Sequence, residues 1–187
     1  MGEYRLKDLL RAPNILSGVR LPLALAFPFA SRDASLALGV LGCAAATDIL
    51  DGWLARKLGQ VTPVGAVIDG IADKAFAASV LGTLVATHTL SPVAALLLAT
   101  RELAELPLAL GVLARKHARL GEVDRRANKL GKIATCLEFA TIVAFIVRAP
   151  GRTVLLALTA TTGAAAAASY WMRELRGASA RSVVNPS

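Results

Sequence analysis

Residues 153–172 run for 20 positions without one side chain charged at neutral pH. A helix of that length, rising 1.5 Å per residue, crosses a hydrocarbon core of about 30 Å. Residues 35–46 likewise carry no group charged at neutral pH. A soluble helix needs a polar stripe towards water, and neither segment has one. The chain therefore reads as a membrane protein, and composition agrees: 55% of its 187 residues are hydrophobic and its mean hydropathy is +0.57. Apolar segments fall at 15–30, 35–54, 63–87, 92–113, 133–147 and 153–172. These predict an all-α, polytopic membrane protein with six transmembrane helices, forming one domain over residues 1–187. A short amphipathic helix is expected before them. Leu6, Leu9 and Leu10 share one side of it and Arg5, Lys7, Asp8 and Arg11 surround them, a pattern suited to the membrane interface.

Charge sets the orientation. The two ends, the loop between the second and third segments, and the loop between the fourth and fifth hold 15 of the 21 Lys and Arg residues. The opposite loops hold only Arg32, Arg148 and Arg152. The positive-inside rule then places both termini in the cytoplasm, as in a cytoplasmic (inner) membrane protein. A net charge of +8 can also signal nucleic acid, but the basic residues lie between apolar segments and aromatics make up 5%. Base stacking has too little to work with, so membrane lipids or a phosphorylated substrate are the expected partners and nucleic acid is not. Residues 1–14 are charged and lack the apolar core of a signal peptide. Cys43 and Cys136, both within apolar segments, are expected to be small buried hydrophobes rather than a disulfide or a metal pair.

Four carboxylates break the apolar pattern. Asp48 and Asp51 stand three apart near the end of the second segment, and Asp69 and Asp73 four apart near the start of the third. Each pair shares one helical face. A short loop joins the two segments, with Thr62 placed to cap the third helix and Pro63 at its first position. In an antiparallel hairpin Asp48 would match the depth of Asp73, and Asp51 that of Asp69. Each carboxylate costs about 2.5–3.5 kcal/mol near the bilayer centre, so four cost roughly 10 kcal/mol. Salt bridges to Lys74, Arg56 or Arg101 would relieve this, but hard divalent cations suit an all-oxygen cluster better. Gly52 beside Asp51 permits close approach of a ligand, and Arg56 one turn later can meet phosphate oxygens. Ala55 and Gly65 are small where the two helices would approach one another. A divalent-cation transporter would also place aspartates here, and a non-catalytic membrane scaffold is a third reading.

The pattern Asp48-x2-Asp51-Gly52-x2-Ala55-Arg56-x8-Gly65-x3-Asp69-x3-Asp73 resembles the signature of the CDP-alcohol phosphatidyltransferases. The resemblance reaches upstream to Pro13-Asn14-x-Leu16-Ser17-x2-Arg20 and through the six-segment layout. It implies an enzyme in which an alcohol attacks the β-phosphorus of a CDP-linked lipid, CDP-diacylglycerol, and CMP leaves. It further implies that Asp48, Asp51, Asp69 and Asp73 ligate two divalent cations, Mg²⁺ or Mn²⁺, with Asp73 also taking the alcohol proton. Gly52, Ala55, Arg56 and Thr62 would line the CDP-lipid site, and the family suggests a homodimer. Asp73-Lys74, Arg101-Glu102 and Gly131-Lys132-x2-Thr135 look like the phosphatidylglycerophosphate synthase branch, whose acceptor is glycerol 3-phosphate. Lys129 and Lys132 would hold that small alcohol-phosphate. Gly70 and Ala134 stand where this branch carries Pro and Lys, so inositol phosphate and phosphatidylglycerol stay open as acceptors. Glu102, Glu105 and Glu138 pair with Arg101, line the cavity or act chemically, and the sequence leaves that choice open.

Overall fold

Asp33 starts a helix of 24 residues: its backbone is extended and its carboxylate accepts from the Leu36 amide at 2.9 Å. The helix it caps is one of six in the computed structural model, which describes residues 12–59, 63–100, 103 and 129–184. We number them α1 (Ala12–Ala30), α2 (Ala34–Lys57), α3 (Pro63–Ala86), α4 (Pro92–Leu98), α5 (Lys129–Ile146) and α6 (Arg152–Val184). The described residues contain no strand, so the all-α expectation holds. Three helices coincide with the first three apolar segments and two with the last two. The fourth segment is helical over Pro92–Leu98, and what lies beyond residue 103 falls outside the described residues, as does the amphipathic helix expected before Ala12.

The chain forms two compact units, Met1–Ser91 and Pro92–Ser187. In the first, α1 packs along both α2 and α3. Phe27 of α1 is fully buried and meets Phe76 of α3 edge to face, with ring centroids 6.3 Å apart. Ala37, Leu41 and Ala44 of α2 and Ala72, Val80 and Leu84 of α3 complete that core. Pro22 and Pro28 lie inside α1. Pro28 has no N–H to offer the Ala24 carbonyl one turn back. Ser79 of α3 supplies the missing donor, its Oγ bonding the Ala24 oxygen at 2.5 Å. Here a neighbouring helix repairs the backbone that a proline breaks.

In the second unit α6 packs against α5 and α4. Thr141 of α5 and Thr159 of α6, both buried, share a hydrogen bond of 2.7 Å. Each hydroxyl also returns to a carbonyl of its own helix, Leu137 and Leu155. Ala166 and Ala167 within the poly-Ala run are buried while Ala164, Ala165 and Ala168 face outward.

Large apolar side chains point away from both cores. Leu25 and Phe29 are 74% and 75% exposed, and Ile49, Val93 and Val154 are also turned out. Water penalises such a surface and acyl chains do not. Among the described residues α2 is the helix long and apolar enough to cross a membrane, and residues Ile15–Ala30 and Ile133–Ile146 are shorter apolar stretches.

Two expectations need correction. Cys43 and Cys136 are free thiols, as expected, yet both are exposed rather than buried. Their apolar context marks the outward face of a helix bathed in a greasy solvent, where exposure and hydrophobicity coincide. Secondly, α2 and α3 are not a simple hairpin closing on itself: the helix that each packs against is α1. The aspartates still converge, but around a third helix.

Candidate metal centre

Three helices build the site. Asp48 and Asp51 lie towards the C-terminal end of α2, Asp69 and Asp73 on the second and third turns of α3, and Ser17 and Arg20 on α1. The i,i+3 and i,i+4 spacings turn both members of each set to one side. Carboxylate oxygens of Asp48, Asp51 and Asp69 lie within 4.8 Å of one another. The expected convergence of the two pairs therefore takes place, with Asp73 joined to the other three through Arg20 rather than within that tight group.

Arg20 is the centre of the arrangement. Only 1% exposed, it directs Nη2 towards Asp48 at 3.2 Å and Asp69 at 3.0 Å. The same nitrogen donates to Asp51 and Nη1 donates to Asp73. One guanidinium thus contacts all four aspartates. Ser17, one turn before it and also buried, donates its hydroxyl to Asp51 Oδ2 at 2.7 Å. Asp51 is buried, whereas the side chains of Asp48, Asp69 and Asp73 are 56%, 41% and 48% exposed. The cluster opens to one side, and a substrate would meet those three first.

The sequence named Lys74, Arg56 and Arg101 as possible counter-charges; among the described residues that place is taken by Arg20. Lys74 is exposed and makes no ion pair among the described residues, and Arg101 lies outside them. Arg56 folds back along its own helix: a Cβ built on Gly52 would stand 3.3 Å from Arg56 Nη1. Gly52 therefore makes room for the Arg56 guanidinium. Lys57 instead covers the Trp53 ring at 4.5 Å. A signal for Arg20 and Ser17 was present, since an arginine inside an apolar segment demands a buried anion and the hydroxyl three residues earlier shares its face.

Ala55 is half-buried on α2 near Gly52 and Arg56. Thr62 lies outside the described residues, so its expected capping and binding roles are not placed. Lys129 opens α5 and Lys132 follows in its first turn, with side chains outside the described residues.

An all-oxygen donor set suits hard divalent cations. Asp48, Asp51 and Asp69 offer such a set at chelating separation, and buried Asp69 Oδ1 has no hydrogen-bond donor of proper geometry despite its closeness to Arg20. The residues present fit a metal ion.

Three helices with apolar outer surfaces around a carboxylate cluster that fits a divalent cation define a class, the all-helical proteins with an acidic centre. The family within that class is given by comparison. The family model for CDP-alcohol phosphatidyltransferase matches residues 10–171, and the chain belongs to that family. Its members are metal-dependent, membrane-associated enzymes. A CDP-diacylglycerol–glycerol-3-phosphate 3-phosphatidyltransferase of Yersinia pestis (strain Pestoides F) is 33% identical over 132 residues, covering 68% of this chain and 69% of that protein. One of the same description from Pseudomonas fluorescens is 54% identical over 52 residues, 28% of this chain and 27% of that protein. A cardiolipin synthase (CMP-forming) of Rattus norvegicus is 42% identical over 65 residues, 33% of this chain and 22% of that protein. The chain thus spans about a quarter of the length of these last two relatives.

Proposed function

We propose that this chain transfers the phosphatidyl group of CDP-diacylglycerol to glycerol 3-phosphate, giving phosphatidylglycerol phosphate and CMP. The observation that carries this reading is the gathering of Asp48, Asp51 and Asp69 within 4.8 Å, with Asp73 linked through Arg20, on the family's matched segment. In the reaction the acceptor hydroxyl forms a new P–O bond at the β-phosphorus, the bond from that phosphorus to CMP breaks, and the hydroxyl proton goes to Asp73. Asp73 suits the proton because it is half-exposed and stands apart from the tight group of three. Asp48, Asp51, Asp69 and Asp73 would hold two divalent ions, Mg²⁺ or Mn²⁺. When bound, these supply charge neutralisation of the diphosphate and of the departing phosphate. Gly52, Ala55, Arg56 and Thr62 form the CDP-lipid site, where Arg56 swings from its resting place over Gly52 to the phosphates. Lys129 and Lys132 take the acceptor phosphate.

The same reading has six helices crossing a cytoplasmic membrane as a single domain over residues 1–187, with both termini and the site opening on the cytoplasmic side, and two copies forming a homodimer. The 42% identity to the rat cardiolipin synthase favours phosphatidylglycerol as the second acceptor to try.

The test is CMP release from CDP-diacylglycerol by the purified full chain, with glycerol 3-phosphate, phosphatidylglycerol and inositol phosphate offered separately. The expected result is release with glycerol 3-phosphate that stops on chelation and falls at least a hundredfold in Asp73→Asn, general-base contributions being about 10²–10⁴-fold. Release with another acceptor alone would overturn the acceptor. Silence with all three from folded protein would overturn the transferase reading.

A further inference from the structure

Arg20 is more than a relief for buried charge. Its guanidinium reaches the same four carboxylates that the proposed function assigns to the divalent ions. Every oxygen lone pair donated to Arg20 is one withheld from a metal, and a fixed positive charge beside the ligands repels a second cation. The helix that carries it is also the one against which α2 and α3 both pack. Without Arg20 the two acidic pairs would repel one another across that helix. Its position is built, not incidental: the side chain is 2% exposed, Ser17 joins it on Asp51, and Arg20 Nε is buried without a hydrogen-bond partner.

We propose that Arg20 is the resident counter-cation of the aspartate cluster, a positioning residue that preassembles the four carboxylates and competes with divalent ions for them. The cluster is then already gathered when metal arrives, and metal affinity is held below what four carboxylates alone would give. Ion loading becomes graded by metal concentration rather than saturated at trace levels. This rests on the metal assignment of the proposed function.

The test uses the purified full chain in lipid nanodiscs and Mn²⁺ alone, without nucleotide. Free Mn²⁺ is read by its paramagnetic resonance signal, and unfolding is followed by tryptophan fluorescence, for wild type, Arg20→Gln, Arg20→Lys and Asp51→Asn. The expected result is Mn²⁺ binding at about tenfold lower concentration or better in Arg20→Gln, as loss of an adjacent positive charge requires. The same variant unfolds at a lower temperature than wild type in chelator and regains the difference when Mn²⁺ is added. Arg20→Lys keeps the charge but not the fork of donors, so its affinity falls between the two; if Arg20→Gln does not fold, this shift carries the test. Equal or weaker Mn²⁺ binding in the Arg20 variants overturns the proposal, because Arg20 would then support the metal. Wild type that binds no Mn²⁺, like Asp51→Asn, overturns the metal assignment itself and this inference with it.

Discussion

Replacing Ser17 with Ala removes one oxygen and leaves everything else about α1 in place. Alanine is the better helix former, and the Ser17 hydroxyl is buried, so neither propensity nor solvation of the new side chain works against the variant. The loss includes the 2.7 Å bond to Asp51 Oδ2. A hydrogen bond to a charged group contributes about 1.5–3 kcal/mol. Asp51 is the buried member of the cluster and retains Arg20, so the carboxylate stays paired but turns more freely. The expected loss of stability is therefore about 1.5–3 kcal/mol. Each 1.4 kcal/mol of misplacement carried into the transition state costs about tenfold in rate, so kcat falls roughly 10- to 100-fold. The control is Thr141→Val, which deletes a hydroxyl bonded at the same 2.7 Å to Thr159 in the second unit. A neutral bond of that kind contributes about 1 kcal/mol, and no activity should be lost. Both are measured by denaturant unfolding in micelles and by CMP release per folded enzyme. Equal stability losses with unchanged turnover in Ser17→Ala would show that Ser17 only fills space, and would refute the reasoning.

Gly52→Ala should stabilise α2 by about 0.5–1 kcal/mol through helix propensity, because its Cβ meets only the movable end of Arg56 at 3.3 Å. The displaced guanidinium should raise KM for the CDP-lipid in a substrate titration, and an unchanged KM would remove Arg56 from that site. Phe27→Ala should cost about 3–5 kcal/mol in unfolding, since Phe27 is fully buried against Phe76; a loss below 1 kcal/mol would mean that α1 and α3 repack freely. Ser79→Ala should cost about 1 kcal/mol, and less in a Pro28→Ala background, where the restored backbone N–H can serve the Ala24 carbonyl. A double-mutant cycle with no coupling would show that the two do not share that oxygen.

Much of this was legible in the sequence because hydropathy and helical period are local signals. The bounds of α2 and α3 fall within a few residues of their apolar segments, and the spacing that puts each acidic pair on one helical face is borne out where Asp48, Asp51 and Asp69 converge. Two things were not legible. The role of Arg20 depends on which helix lies between α2 and α3, a tertiary fact that no window of neighbouring residues contains. The exposure of Cys43 and Cys136 escaped for a different reason. Burial is inferred from hydrophobicity only where water is the solvent, and on helices of this kind apolar residues face outward as readily as inward.

The insertion of α1 answers a difficulty that the acidic pairs create. Two helices with like-charged faces have no reason to bring those faces together, and in hydrocarbon the cost of exposing them is high as well. A third helix bearing a cation solves both problems if it packs on each partner, which α1 does. Phe27 of α1 packs against Phe76, and the α1 carbonyl orphaned by Pro28 accepts from Ser79 of α3. The one buried charge of α1 then fixes where along α2 and α3 the carboxylates must stop. The aspartate cluster is thus a property of three helices rather than of the two that carry the aspartates. On the proposed metal assignment, a variant of α1 that changes none of the four aspartates should still change how the cluster takes up divalent ions.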